Sequence, residues 1–266
     1  MIDSLENKKT RHAVFYRPDI DGLRAISVVA VMLYHAEFQL FSGGFIGVDV
    51  FFVISGYLIT QMVLGDFEKG SFSLSHFYER RVRRILPALL VMLSATVPLA
   101  YVFLSADLLA DYSASLLGAT WFSSNFVFWS EAGYFDRASE FKPLLHTWSL
   151  GVEEQFYLFF PAILWLLYKF NWLIPGLGVA VVISFFMAQV GLSKGAEWPF
   201  YMLVSRAWEL GVGAMLAVVL THSRMSKVRV KGHWAELLAL SGLLAIIVPV
   251  FIFSELTATP GALLLV

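Results

Sequence analysis

Long apolar stretches, separated by short polar or charged segments, dominate the pattern along this chain. A membrane-spanning helix needs about 20 mostly apolar residues, and seven stretches reach that length. They lie at residues 20–41, 43–64, 85–104, 144–168, 172–191, 200–221 and 235–254. An eighth begins at Gly261 and is cut by the last residue, Val266. The pattern predicts an all-α, polytopic membrane helix bundle with about seven full spans and a truncated eighth.

The segment 107–129 is the ambiguous one, because it is moderately apolar but carries Asp107 and Asp111. Lysines and arginines of short loops mark the cytoplasmic side of a membrane protein. They are concentrated in the N-terminal tail, at residues 80–84 and at residues 224–231. These three regions lie on the same side of the membrane only if the segment 107–129 does not cross it. We therefore predict that this segment is interfacial, re-entrant or a hairpin on the outer side.

The composition supports a membrane protein and excludes several other classes. Hydrophobic residues make up 58% of the chain and charged residues 15%, whereas soluble domains have about 25% charged residues. Nineteen basic residues nearly balance twenty acidic ones, so no basic field for nucleic acid exists. Cysteine is absent, which removes disulfides and thiol nucleophiles. We predict a cytoplasmic tail at residues 1–15 and one membrane domain at 16–266, with the lipid bilayer as its partner.

Arg24 and His35 are the most informative pair of polar residues. Arg24 and His35 are eleven positions apart, so on a helix they lie on the same face, about 16 Å apart along the axis. Asp21 lies one turn before Arg24 and is close enough to pair with it. One interpretation is an arginine that anchors the helix end and a hydrogen-bonded core histidine. The other is a functional site, in which His35 moves a proton and Arg24 holds an anionic group.

A second group of polar residues lies in the sequence HTWSLGVEEQFY at 146–157. His146, Glu153 and Tyr157 share a helix face, and Glu154 lies about 100° away from Glu153. Two acids early in a membrane span are costly, so they either act in a site or neutralise a cation, for which Arg24 is a candidate. The spacing is not that of two ligands from adjacent turns, and we predict no metal site.

A third group combines glycines with one carboxylate. Gly43, Gly44 and Gly47 allow close approach of backbone or ligand, and helix packing is the simpler interpretation. Asp49 follows in a run of Val, Phe and Ile. An isolated buried charge is not tolerated, so Asp49 should pair with His35 or with an arginine, and we favour a functional role for it.

A fourth group is the arginine cluster before the apolar stretch at 85–104. Cytoplasmic arginines orient a span, and that explanation alone is sufficient. Four guanidinium groups at a membrane entrance also suit an anionic cytoplasmic cosubstrate, since guanidinium binds phosphate through two hydrogen bonds. The arginines are Arg80, Arg81, Arg83 and Arg84.

Several long segments together resemble the membrane acyltransferase family 3, and within it the bacterial O-acetyltransferases that modify lipopolysaccharide O-antigen and other surface glycans. The segments are YRPDIDGLRAISVVAVMLYH (16–35), GGFIGVDVFFVISGYLIT (43–60), FYERRVRRILPAL (77–89), PLLHTWSLGVEEQFYL (143–158) and SRAWELGVGAMLA (205–217). The resemblance covers nearly the whole chain from Tyr16 onward.

The resemblance implies an acyl-CoA donor, such as acetyl-CoA, on the cytoplasmic side and a sugar hydroxyl on the outer side. The family's Arg-x10-His motif falls on Arg24 and His35. Its Arg-x-x-Arg motif falls either on the first and third arginines of the cluster or on the second and fourth. Members have about ten spans, so we expect the domain to be incomplete at its C-terminus.

We therefore predict an O-acyltransferase of the bacterial inner membrane, with its N-terminus in the cytoplasm. It moves an acetyl group from acetyl-CoA, a cosubstrate and not a tightly bound cofactor, to a glycan or lipid-linked saccharide. The predicted catalytic residues are His35, Asp49 and Glu153, with His35 as a general base that Asp49 or Glu153 orients. The predicted donor-binding residues are Arg24, Arg80, Arg81, Arg83 and Arg84, and the predicted acceptor-binding residues are His146, Trp148, Glu154 and Tyr157. A proton-coupled secondary transporter and an inactive acyltransferase fragment are the alternatives.

Overall fold

The computed structural model describes residues 17–132, 141–222 and 232–254, together with 257, 259–261 and 264. These residues form ten α-helices and no strand. The helices are α1 (Pro18–His35), α2 (Gly47–Glu68), α3 (Leu74–Phe103), α4 (Ala106–Thr120), α5 (Ser124–Glu131), α6 (Thr147–Lys169), α7 (Leu173–Ser193), α8 (Trp198–Tyr201), α9 (Leu203–His222) and α10 (His233–Ile252). The predicted tail at 1–15 lies outside the described residues, as does most of the chain after Gly261.

Six of these helices are long and apolar enough to cross a membrane: α2, α3, α6, α7, α9 and α10. The all-α, multi-pass architecture predicted from the sequence is therefore confirmed. Helix α1 has 18 residues, but Asp19, Asp21 and Arg24 make it more polar than the six. Its predicted span, 20–41, was too long, because α1 ends at His35 and two short 3-10 turns, Gln39–Phe41 and Gly44–Ile46, follow it.

Helix α3 begins at Leu74, well before the predicted start of this span at residue 85. The side chain of Ser73 caps it by accepting a hydrogen bond from the backbone N–H of His76 at 3.5 Å, as serine commonly does at a helix start. The arginine cluster at 80–84 is therefore part of the helix and does not lie in the preceding loop. Each arginine consequently has a fixed direction around the helix axis.

The ambiguous segment 107–129 folds as a helical hairpin. Helices α4 and α5 are each shorter than a span, and the chain reverses between them at Phe122, which has a positive φ of 53°. The two helices pack closely, since a Cβ at Gly118 would lie 3.0 Å from the Cα atom of Ser124. The prediction that this segment does not cross as a single span is confirmed.

Helices α1 and α2 are antiparallel neighbours. Arg17 donates a hydrogen bond to the Tyr57 hydroxyl at 3.2 Å near one end of the pair. At the other end, a Cβ on Gly44 would collide with the carbonyl oxygen of Ala30, and one on Gly47 with that of Ser27. The packing role predicted for these glycines is therefore confirmed.

Helices α2 and α9 form the closest pair in the bundle. A Cβ on Gly56 would meet the backbone of Leu210, and one on Gly213 would meet the carbonyl oxygen of Val53. Both helices present glycine where they cross, so their backbones touch directly. Helix α6 packs on the same side of α2, where the indole of Trp148 meets Phe52 with ring centroids 6.2 Å apart. The predicted site residues lie along these contacts.

Candidate active site

A cleft of about 170 Å³ opens between α2 and α6. Four apolar side chains line it, together with Ser149 and the carboxylate of Glu153; the apolar ones are Val48, Phe51, Phe52 and Leu150. The periodicity of α6 explains the polar side, because Ser149 and Glu153 are four residues apart and share a face. One carboxylate in an otherwise apolar cleft can accept hydrogen bonds or a proton there.

Glu153 is held by donors from two helices. The hydroxyl of Tyr157, one turn further along α6, donates to Glu153 Oε1 at 2.7 Å. The hydroxyl of Ser55 on α2 donates to the same oxygen. The shared face of Glu153 and Tyr157 is thus as predicted from the sequence. Ser55 was not predicted, and a serine among apolar residues gives little signal of its role.

The arginine cluster divides into two pairs. Arg81 reaches inward: its guanidinium lies 3.9 Å from the centroid of the Tyr157 ring and 3.6 Å from Glu154 Oε1. Arg84, on the same face of α3, lies near enough for its charge to act on Glu154, and no carboxylate of the described residues lies within ion-pair distance of it. Of these two arginines, Arg81 points into the bundle, whereas Arg84 is exposed.

The other pair of arginines points to the surface. Arg80 donates to Asp66 at the end of α2 at 3.0 Å, and Arg83 pairs with Glu79 on its own helix at 2.7 Å. The side chain of Arg83 is 78% exposed, against 13% for that of Arg81. Among the four arginines, Arg81 has the inward-facing side chain, while Arg83 and Arg84 are exposed and Arg80 is bound to Asp66.

Arg24 lies at the other side of the cleft. Its guanidinium is 6.0 Å from the centroid of the Phe51 ring, which lines the cleft. The predicted pairing with Asp21 is present, with a nitrogen–oxygen distance of 3.9 Å. The idea that Glu153 or Glu154 neutralises Arg24 was wrong, because Glu153 bonds to Ser55 and Tyr157, and Glu154 pairs with Arg81.

His35 ends α1 and is exposed. Its Nδ1 lies 2.9 Å from the carbonyl oxygen of Val31. A carbonyl can only accept a hydrogen bond, so Nδ1 is the donor, and in the neutral form of the ring Nε2 keeps its lone pair. The predicted orientation of His35 by Asp49 or Glu153 was wrong, because the backbone supplies the partner and both carboxylates are engaged elsewhere.

His146 immediately precedes α6, and its side chain is exposed near His35. Partial removal from solvent, together with the positive charge that His35 acquires on protonation, lowers the pKa of His146 below its usual value. Both effects disfavour the charged imidazolium. The charge of one imidazole thus acts on the other where α1 ends and α6 begins.

Asp49 belongs to a buried ion cluster in which Arg206 of α9 is the centre. Nη1 of Arg206 donates to Asp49 Oδ1 at 2.5 Å and to Glu209 Oε1 at 3.1 Å. All three residues are buried. The prediction that Asp49 pairs with an arginine is confirmed. Arg206 was not identified from the sequence as that arginine. The signal was available: an arginine and an acid three residues apart in an apolar span share a face and seldom lie in lipid.

Trp148 lies beneath this cluster and is nearly fully buried. The Arg206 guanidinium is 5.4 Å from the Trp148 ring and 4.9 Å from the ring of Phe200, within the range of cation–π attraction. Its predicted contact with an acceptor does not fit this burial. Trp148 instead connects the cluster to Phe52, which forms a wall of the cleft.

The residues that the structure describes include no group of three or more His, Asp or Glu side chains placed to hold a metal ion. The arrangement offers instead an exposed imidazole whose Nδ1 bonds to the backbone at one end, guanidinium groups at the other, and an apolar cleft with one carboxylate between them. Such a set can move a proton and hold an anionic ligand.

Residues 17–265 match the acyltransferase 3 family, described as an acyltransferase domain. "Peptidoglycan O-acetyltransferase OatA" of Listeria monocytogenes serovar 1/2a is 38% identical over 232 residues, covering 83% of this chain and 37% of the relative. "Putative peptidoglycan O-acetyltransferase YrhL" of Bacillus subtilis is 35% identical over 229 residues, covering 83% of this chain and 36% of the relative.

A Staphylococcus aureus protein, "Putative O-acetyltransferase SAS0844", is 44% identical over 151 residues, or 56% of this chain and 25% of the relative. The chain therefore spans little more than a third of the length of the relatives that match it over most of its own length. No solved structure matches this chain.

Proposed function

The chain belongs to the acyltransferase 3 family, and on that basis we propose that it is a membrane O-acyltransferase that moves an acetyl group from acetyl-CoA to a hydroxyl of a cell-surface glycan. The observation that carries the proposal is the state of His35. Its Nδ1–H is tied to the Val31 carbonyl, so Nε2 is free to take a proton from an acceptor hydroxyl.

The chemistry follows from this tautomer. Nε2 of His35 removes the proton as the hydroxyl oxygen attacks the thioester carbonyl, and the carbon–sulfur bond breaks. The CoA thiolate leaves with the electron pair and takes the proton back from the imidazolium. General-base assistance of this type contributes about 10²- to 10⁴-fold to the rate.

The donor is proposed to enter from the side where the arginines lie. Arg81 points into the bundle, and Arg84 is exposed with no carboxylate of the described residues within ion-pair distance. These two are the natural ligands for the CoA phosphates, while Arg24 on the far side of the cleft attracts the remaining negative charge. Arg80 and Arg83 are occupied by Asp66 and Glu79, so they anchor α3. Positive residues favour the cytoplasm, which gives a cytoplasmic N-terminus and an outward-facing His35 in the bacterial inner membrane.

The acceptor is proposed to be a glycan or a lipid-linked saccharide that approaches His35 and His146. The names of two relatives specify peptidoglycan, and this polymer is the first acceptor to test, with lipopolysaccharide O-antigen as the second. Among the residues predicted to bind the acceptor, His146 is exposed and keeps that role. Glu154 and Tyr157 lie beside Arg81 and are assigned to the donor side.

The proposal is tested with acetyl-CoA labelled in the acetyl group and membranes from cells that produce the chain. We expect covalent label on glycan, and its loss by at least about 10²-fold in the His35→Ala variant. His233→Ala is the matched control, because its side chain is 98% exposed at the start of α10. Normal transfer by His35→Ala refutes the role of the base, and solute uptake without covalent label supports the transporter alternative.

The division of the arginine cluster gives a second test. Arg81→Gln should raise KM for acetyl-CoA by about 10-fold or more, because a charged hydrogen bond contributes about 1.5–3 kcal/mol. Arg83→Gln removes an exposed ion pair worth less than about 1 kcal/mol and should leave KM nearly unchanged. Equal effects of the two substitutions would contradict the proposed donor site.

A further inference from the structure

We propose that the cleft between α2 and α6 is the pocket for the acyl group, and that Phe51 and Phe52 restrict it to short, uncharged chains. This inference rests on the proposed function and deepens it. It concerns which acyl-CoA serves as donor. The argument rests on the lining of the cleft, its position and its size.

The lining suits an acyl chain. Four of the six side chains around the cleft are apolar, and the Phe51 and Phe52 rings form much of the α2 wall. Apolar lining with very few polar groups is typical of pockets that take apolar ligand parts. The Glu153 carboxylate on the opposite wall disfavours an acyl group that carries its own negative charge, because like charges repel strongly where water is scarce.

The position connects the cleft to both proposed ends of the reaction path. On the donor side, Glu153 accepts a hydrogen bond from Tyr157, whose ring lies under Arg81. On the acceptor side, Ser149 follows His146 by three residues, which is about 4.5 Å along a helix. A thioester that extends from the arginines toward the histidines therefore passes this cleft.

The size sets a limit on the acyl group. A cavity of about 150 Å³ with apolar walls holds benzene, a molecule of six carbon atoms. The cleft is partly open and measures about 170 Å³, so acetyl, propionyl and butyryl groups fit within its apolar walls, whereas the outer carbons of an octanoyl group would extend beyond them. Phe52 is almost fully buried, and a long chain cannot displace it without opening the core.

The experiment measures transfer of acetyl, butyryl, octanoyl and succinyl groups from the corresponding acyl-CoA by membranes that contain the full chain. The unsubstituted chain should use acetyl and butyryl groups and reject octanoyl and succinyl groups. Phe51→Ala, at a half-buried position, should raise the ratio of octanoyl to acetyl transfer by at least about 10-fold, since each accommodated methylene changes the rate by about 10- to 200-fold.

Two further variants keep the test decisive. Val48→Phe fills the cleft from the same helix and should reduce butyryl transfer more than acetyl transfer. Phe51→Ala and Val48→Phe should therefore shift the acyl-length profile in opposite directions. Phe186→Ala removes a ring that is 65% exposed on α7 and should leave the profile unchanged.

An unchanged acyl-length profile in both cleft variants, with acetyl transfer intact, overturns this inference and leaves the proposed function standing. Absence of transfer from every acyl-CoA by the unsubstituted chain refutes the proposed function, and the inference with it.

Discussion

The buried cluster around Arg206 gives the sharpest prediction, because a single guanidinium serves two carboxyl groups. One guanidinium faces the carboxylates of Asp49 and Glu209, at 2.5 Å and 3.1 Å. Glu209 Oε2 is buried and has no hydrogen-bond partner among the described residues. Removing one of these three groups should therefore have very different consequences depending on which is removed.

The expected losses of unfolding free energy can be ranked. Arg206→Ala leaves two carboxylates without a cation, and breaking a buried pair costs about 3–5 kcal/mol. Asp49→Asn leaves one cation and one acid, both on α9. It weakens the charged hydrogen bond that joins α2 to α9, so the unfolding free energy should fall by about 1.5–3 kcal/mol. Glu209→Gln removes the second carboxyl group and keeps an oxygen that accepts from Arg206, so its cost should stay below about 1 kcal/mol.

The assay is denaturation of the purified, detergent-solubilised variants by heat or SDS, followed by the loss of helical circular dichroism. The order, with Arg206→Ala most damaged and Glu209→Gln least, is the test. If Glu209→Gln proved as destabilised as Arg206→Ala, or more so than Asp49→Asn, the charge count would not describe the cluster. A variant with Asp49→Asn, Arg206→Met and Glu209→Gln together should be more stable than Arg206→Ala alone, because no unpaired charge remains.

Two other predictions concern helix packing and titration. Gly56→Ala should lower the unfolding free energy by about 1–3 kcal/mol, because the new methyl group would overlap the Leu210 backbone. The control Gly22→Ala, where the new methyl group meets no atom within 4 Å, should be neutral or stabilising. Equal effects of the two substitutions in the same denaturation assay would contradict the direct α2–α9 contact. His35→Ala should raise the pKa of His146 toward its usual value, because one of the charges that lower it is removed while its partial burial remains. NMR titration of labelled histidines measures this shift, and an unchanged pKa would show that the two rings act independently.

The sequence predicted the helices well where hydrophobicity decides the outcome. The spans near 144–168, 172–191, 200–221 and 235–254 each correspond to a helix with ends displaced by only a few residues. The start of α3 was not predicted because the first turns of this helix are polar. In the structure, Arg80 and Arg81 belong to the helix, and their side chains contact Asp66 and α6. Apolar length measures the membrane-buried part of a helix and does not register a polar extension.

Side-chain partners were predicted where they lie one turn apart and missed where they cross between helices. Glu153 with Tyr157 and Asp21 with Arg24 follow from helical periodicity alone. The contact of Asp49 with Arg206 joins residues 157 positions apart, and no local pattern encodes that distance. Helix periodicity gives the face on which a residue lies, but the neighbouring helix is chosen by the packing of the whole bundle.

The two arginine environments argue for different roles within one chain. Arg206 bonds to two carboxylates and to the Phe200 carbonyl through Nε at 3.0 Å, so its donors are largely used within the protein. Arg81 approaches Glu154 at 3.6 Å, and neither Arg81 Nε nor Glu154 Oε1 has a hydrogen-bond partner among the described residues. Buried polar atoms are normally paired. A guanidinium with an unpaired N–H group at the inner end of an apolar cleft can bind a phosphate without breaking a short hydrogen bond within the protein. Arg206 therefore holds the bundle together, whereas Arg81 keeps an unpaired Nε beside its longer contact with Glu154 and is the proposed ligand of the donor.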